Sequence, residues 1–200
     1  MALVSTTLQS AFLAIYNAMD SMTEGGNAYM ASGTAKAIKT FILTGQVSTT
    51  DTGAALAGSY TGAGVGIMTI DADALTADLQ DTFEATYAND DLADHIATDI
   101  DNACKVDNIV KTVSTGNVVI PAGGTSPFSG PGEGSFTGAK ALIASTLKAC
   151  FSAMNNMTSG GNAYMAAQFA LAVYSYLIAG AISVTLKAPF VSGSGTGSIM

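Results

Sequence analysis

Leu8, Phe12, Ile15 and Met19 fall at i, i+4, i+7 and i+11 with polar residues between them, which predicts an amphipathic helix. Gly25-Gly26 breaks the pattern. Asn27 fits the N-cap of a second helix, and Met30, Ile38, Phe41 and Ile42 supply its buried face. Gly45 stands where a helix takes a left-handed C′ residue. "QVSTT" then reads as a β-branched strand, and a Gly/Ser-rich turn leads to a second strand in "VGIMTI".

The same order recurs twice. "GGNAYM" occupies Gly25–Met30 and again Gly160–Met165. The helix "LQSAFLAIYNA" from Leu8 matches "LQDTFEATYAN" from Leu79 and, less closely, "LKACFSAMNNM" from Leu147. "ILTGQVSTT", "VSTGNVVIP" and "LIAGAISVT" align Gly45, Gly116 and Gly180. Each run closes on alternating glycines: Gly62-Gly64-Gly66, Gly130-Gly132-Gly134 and Gly193-Gly195-Gly197. The expected fold is therefore α+β, three tandem divergent repeats of helix-helix-strand-strand. The units are residues 1–74, 75–138 (degenerate, acidic, without the GGNAYM loop) and 139–200 (apolar and acid-free). A unit of about 65 residues buries too little apolar surface to stand alone. The three are expected to share one core, in a row or a pseudo-threefold ring.

Composition sharpens this picture. Hydrophobic content of 48% with a mean hydropathy of +0.38 is ample for a core, while charged residues reach only 11%, less than half the usual share of about 25%. The net charge of −8, with seven Lys and no Arg, excludes a nucleic-acid binder, whose affinity comes from basic residues releasing counterions. Two cysteines make no disulfide framework. "MALVSTTLQS" lacks the basic and apolar regions of a signal peptide, so synthesis in a cytoplasm is expected. Residues 163–186 form a long uncharged run. Its counterpart in the first unit carries Lys36 and Lys39 and the same helix-ending glycine. The run is therefore read as a buried helix, a break at Gly180 and a strand, with no membrane partner. Sorted by unit, the charges are −3, −8 and +3. A stretch of 62 residues without Asp or Glu predicts a surface covered by a partner.

Chemistry-bearing motifs are few. The glycine triplets fail the spacing G-x-G-x-x-G and precede no Gly-Lys-Ser/Thr. On a strand they leave one face bare for close packing. Asp90, Asp91, Asp94, Asp99 and Asp101 lack a calcium-loop pattern and read as a solvated face. His95 is the sole histidine and has no evident nucleophile partner; Cys104 aligns with Gly33 and Cys150 with Ala11. The sequon Asn156-Met157-Thr158 has meaning only in a secreted chain. No catalytic, cofactor-binding or metal residue is assigned, no cofactor and no small-molecule substrate are expected, and the chain does not read as an enzyme. The candidates that remain are interface residues: Tyr29, Met30, Tyr164 and Met165 in the repeated loops, with Tyr174, Tyr176 and Phe190. The competing reading of the loops is a helix start that the fold requires.

Short amphipathic helices followed by "TGxV" strands and a "GxGxG" terminus, here "ILTGQV" and "SGSGTGSIM", resemble the small Ala/Gly-rich virion structural proteins of tailed bacteriophages. The resemblance touches all three units and carries over no functional residues. It implies a neck, tail, baseplate or capsid-accessory component located in the virion, with other virion proteins or copies of itself as partners. The alternative expectation is a secreted or cell-surface repeat module, adhesin-like in use.

Overall fold

A computed structural model describes residues 3–55, 58–121, 123–188 and 191–200. Among them lie six helices and six strands in the order α-α-β-β, three times over. The first run is α1 (Ser5–Met19), α2 (Gly26–Thr44), β1 (Val47–Ala55) and β2 (Gly58–Met68). The second is α3 (Ala72–Glu84), α4 (Asn89–Cys104), β3 (Val110–Val119) and β4 (Thr125–Thr137). The third is α5 (Ala141–Met154), α6 (Gly161–Ala179), β5 (Ala181–Ala188) and β6 (Val191–Ile199). The mixed helix and strand composition agrees with the α+β expectation.

Each strand pairs antiparallel with its sequence neighbour, and β6 returns to β1, so the sheet closes into a barrel in the order β1-β2-β3-β4-β5-β6. Closure leaves no edge strand open to foreign pairing. The helices form a second closed circuit: each touches the next in sequence, and α6 touches α1. This circuit sits over one end of the barrel, meeting it chiefly through α2, α4 and α6.

One apolar core runs through both layers. Each helix turns a small set of buried residues inward: Leu8, Phe12, Ile15 and Tyr16 on α1; Leu75, Leu79 and Thr82 on α3; Ile143, Leu147, Cys150 and Phe151 on α5. The second helices repeat this with Ala31, Thr34, Ala35, Ile38 and Ile42 on α2, Ala93, Ile96, Ala97, Ile100 and Cys104 on α4, and Ala166, Phe169, Ala170, Val173 and Leu177 on α6. Below them Val47, Val110 and Ile182, with Met68, Phe136 and Ile199, fill the near end of the barrel. A separate cluster of Tyr60, Leu186 and Val191, packed with Phe128, fills the far end.

The barrel is narrow because three of its strands bring almost no side chain inside. The inward positions of β2, β4 and β6 are glycines flanked by one large residue at each end: Tyr60 and Met68, Phe128 and Phe136, Val191 and Ile199. A Cβ on Gly66, Gly134 or Gly197 would lie 1.9 Å from the carbonyl oxygen of Lys111, Ser183 or Ser48 on the neighbouring strand. Backbones thus meet at this end of each triplet, while Tyr60, Thr49, Thr112 and Asp51 side chains crowd Gly62, Gly64, Gly132 and Gly195, the close approach that the alternation predicts.

Several expected details change. α2 starts at Gly26, one residue before Asn27, and its N-cap is Gly25 at φ +72°, a left-handed conformation that glycine adopts freely. Gly45 and Gly180 do follow helices, but with extended backbone (φ −79° and −76°) rather than left-handed. They are glycines for want of space: a Cβ on Gly180 would reach 2.0 Å from the Phe136 ring, and one on Gly45 would meet Ile199 at 2.9 Å. Gly116 is no helix end at all; it lies in mid-strand on β3, opposite Gly62 and Phe128. The buried positions of α5 (Ile143, Leu147, Cys150, Phe151) share the spacing of those on α1 (Leu8, Phe12, Ile15, Tyr16), which sets Leu147 level with Phe12 and Cys150 with Ile15; the same comparison of α4 with α2 sets Cys104 level with Ile42. No helix among the described residues is long and apolar enough to cross a membrane; α6 is covered by α1 and α5.

Candidate functional site

The titratable groups are scattered rather than convergent. Cys104 and Cys150 are free and buried. Burial, with the Asp101 charge nearby, pushes the Cys104 thiol up to about 12, and burial raises Cys150 as well. Both shifts work against the thiolate that nucleophilic catalysis requires. His95 is exposed and stacks on the Tyr87 ring at 4.1 Å. It lies nine residues before Cys104 on the same helix, about 13 Å along the axis, so the two make no dyad.

The α4 carboxylates disperse into separate bonds. Asp94 pairs with Lys148 of α5 at 2.8 Å. Asp99 accepts from Thr82 of α3 at 2.7 Å. Asp101 is buried rather than solvated: it accepts from Tyr176 of α6 at 2.8 Å and from Lys105 at 2.6 Å. These bonds tie α4 to three other helices. Among the described residues no group of acids, cysteines and histidine is arranged to hold a metal.

A second polar group lies inside the barrel, between the two apolar clusters. The Tyr60 hydroxyl bonds Ser114 Oγ, which donates to Asp51 Oδ2 at 2.5 Å. A serine has one proton to give, so Tyr60 is the donor to Ser114. Thr49 and Thr112 complete this belt, and all five residues are at most 4% exposed. Sequence reasoning missed it. The signal was present in the strand alternation: Val47-x-Thr49-x-Asp51 on β1, Val110-x-Thr112-x-Ser114 on β3, and Ile182-x-Val184-x-Leu186 on β5.

The repeated loops turn out to be joints of the helix circuit. Gly25 and Gly160 take the same left-handed conformation, φ +72° and +76°. Asn27 Nδ2 donates to the Phe83 carbonyl at the end of α3 at 2.9 Å, satisfying an oxygen that the helix end leaves free. Asn162 Nδ2 donates to Asp20 Oδ2 and Asn17 Oδ1 at the end of α1. Around these joints Tyr29 is exposed and Tyr164 half-buried, while Met30 and Met165 pack onto the core. Tyr174 is half-buried against the core. Tyr176 is no surface residue: it is fully buried, stacked edge-on against Phe136 with its hydroxyl on Asp101. Its aromatic size fills the junction of α6 and the barrel, so it cannot anchor a partner. Phe190 lies outside the described residues.

Besides open grooves between α1 and α2 and at the α1–α6 joint, two surface features stand out among the described residues. An open groove of about 550 Å³ between α4 and α5 has an alanine floor and a rim of Asp94, Lys140, Ser145 and Lys148. Its lysines are already engaged, Lys148 with Asp94 and Lys140 with the Thr98 hydroxyl at 3.3 Å. The other is on the outer wall of the barrel. Val65 of β2 faces Val113 of β3, which faces Pro131 of β4, with Ile67 diagonal to them. Val65 and Ile67 are each 50% exposed and Val113 is 56% exposed. Elsewhere the outer wall is largely Ser and Thr (Ser48, Thr50 and Thr52 on β1, Ser183 and Thr185 on β5, Ser192, Ser194, Thr196 and Ser198 on β6), with Glu133 paired to Lys111 and Lys187 beside the stripe and Val119 exposed at the end of β3. No family model, curated protein or solved structure matches the chain.

Proposed function

We propose that the chain is a structural protein of a bacteriophage particle, a neck, tail, baseplate or capsid-accessory component that joins other virion subunits or copies of itself. The observation that carries this reading is the apolar stripe Val65–Val113–Pro131 with Ile67, exposed on the outer wall of the barrel beside the Lys111–Glu133–Lys187 ion pairs. Apolar surface of this kind is stable in water when a partner covers it. The dispersed titratable groups support a scaffold over an enzyme, since no nucleophile, base and oxyanion donor converge. We further infer that the three α-α-β-β runs are divergent copies of one unit, set around a pseudo-threefold axis. Coincident buried positions on the helices and the three glycine backbone contacts support that reading.

The stripe also relocates the expected partner surface. The apolar, acid-free third unit spends much of its hydrophobicity inside the chain, through Phe169, Val173, Tyr176 and Leu177, and its Lys148 is matched by Asp94 of the second unit. On this reading the contact surface lies on β2, β3 and β4 instead. Density-gradient sedimentation of intact particles tests the reading. Wild-type protein is expected to travel with the particles, and Val113→Lys to be lost from them while remaining folded. A free monodisperse monomer that never sediments with particles would overturn it.

A further inference from the structure

We infer that the belt inside the barrel is a binding site for one alkali-metal cation, held by Asp51 with the hydroxyls of Thr49 and Thr112. Asp51 is fully buried, and its Oδ2 is occupied by Ser114. Among the described residues its Oδ1 has no hydrogen-bond partner, and neither has Thr49 Oγ1 or Thr112 Oγ1, although all three are shielded from solvent. Three orphaned oxygens on one barrel level are unusual, since buried polar groups are almost always bonded. The donor chain Tyr60–Ser114–Asp51 ends at the carboxylate, so no proton from it reaches Oδ1. None of the ion pairs among the described residues involves Asp51.

The side-chain-free glycines of β2, β4 and β6 make room for these oxygens inside the belt, Thr49 Oγ1 over Gly64, Thr112 Oγ1 over Gly132 at 2.5 Å and Asp51 Oδ1 over Gly195. Thr49 Oγ1 and Asp51 Oδ2 both crowd the position where Gly64 would carry a Cβ, at 2.2 and 2.8 Å, and Thr112 Cβ lies 3.5 Å from it. Asp51 Oδ1 occupies the equivalent position over Gly195, at 1.7 Å. A cation would bond the carboxylate oxygen and both hydroxyls at once, whereas buried oxygens left unbonded are the costly case. A single carboxylate with neutral oxygens matches one positive charge, whereas Ca²⁺ and Mg²⁺ draw on more ligands and more charge. The β5 side of the same level, Val184 and Leu186, offers no oxygen, which confines the site to β1 and β3.

The experiment compares thermal unfolding of the full chain in sodium, potassium and tetramethylammonium chloride at one ionic strength, after dialysis into the last. Tetramethylammonium is too large to enter. A Tm about 5 °C higher in one of the alkali salts is expected, with an anomalous peak beside Asp51 in crystals grown in rubidium chloride. Thr112→Val and Asp51→Leu copy what β5 carries at the corresponding positions, and both are expected to unfold at a Tm independent of the cation. Should Asp51→Leu fail to fold, Thr112→Val alone carries that readout. Equal Tm values for the wild type in all three salts, or density for water alone at the belt, would overturn the assignment.

Discussion

The helix circuit and the barrel hold together by opposite means. The circuit is filled by side chains: Phe12 stacks on Phe169 at 4.7 Å, and Leu, Ile and Ala close the gaps between neighbouring helices. The barrel is held by removing side chains, so that strands pack backbone to backbone at Gly66, Gly134 and Gly197. Side chains change rotamer and relax; a carbonyl locked in a ladder does not. The two layers should therefore differ in what they tolerate, even though one core joins them.

The largest effect is expected where a Cβ meets backbone. Gly66→Ala, Gly134→Ala or Gly197→Ala forces strands apart and should cost more than about 4 kcal/mol, read as loss of the folded fraction in urea titration. Three silent alanines would break the contrast. Next comes the circuit, where Phe169→Ala empties a fully buried site and should cost about 3–5 kcal/mol, while Phe169→Leu should recover much of it. Tyr176→Phe leaves Asp101 Oδ1 without its donor inside the core and should cost about 1–3 kcal/mol. Asn162→Ala cuts one exposed joint between α6 and α1, worth about 1 kcal/mol or less.

The smallest effect concerns Asp99. Burial between α3 and α4 raises its carboxyl despite the bond from Thr82. A raised folded value means that the native chain takes up the proton before the unfolded chain does. That contribution is full below the unfolded carboxylate range and is lost as pH rises through the folded value. Asp99→Asn should flatten this limb of the stability–pH curve and slightly stabilise the chain at pH 7, as followed by urea midpoints from pH 3 to 7.

Much of this was legible in the residues, and the errors have a common cause. The stripe Leu8, Phe12, Ile15 marked α1, and the glycine alternation marked a bare strand face, because both depend on local periodicity. The helix alignment is ambiguous by one turn because i and i+4 lie on the same face, so Leu147 matches Leu8 in identity but Phe12 in the spacing of buried positions. The alignment of Gly116 with Gly45 misleads because a glycine looks the same in sequence whether it follows a helix or crosses a strand; β3 begins well before Gly116, at Val110. Closure of the barrel was not legible, since pairing of β1 with β6 joins residues far apart in the chain. The belt was half visible: Thr49, Asp51, Thr112 and Ser114 alternate with outward residues, but only pairing brings them to one level.

The pairing of β6 with β1 also sets a schedule for the nascent chain. While a ribosome is still making the last strand, β1 and β5 each present a bare ladder of amides and carbonyls, and every barrel-lining residue is wet. Strand β1 waits for its second neighbour until the four strands between them have been made. Crowded polysomes, where many such half-built ladders lie side by side, are where strand exchange between chains is most dangerous.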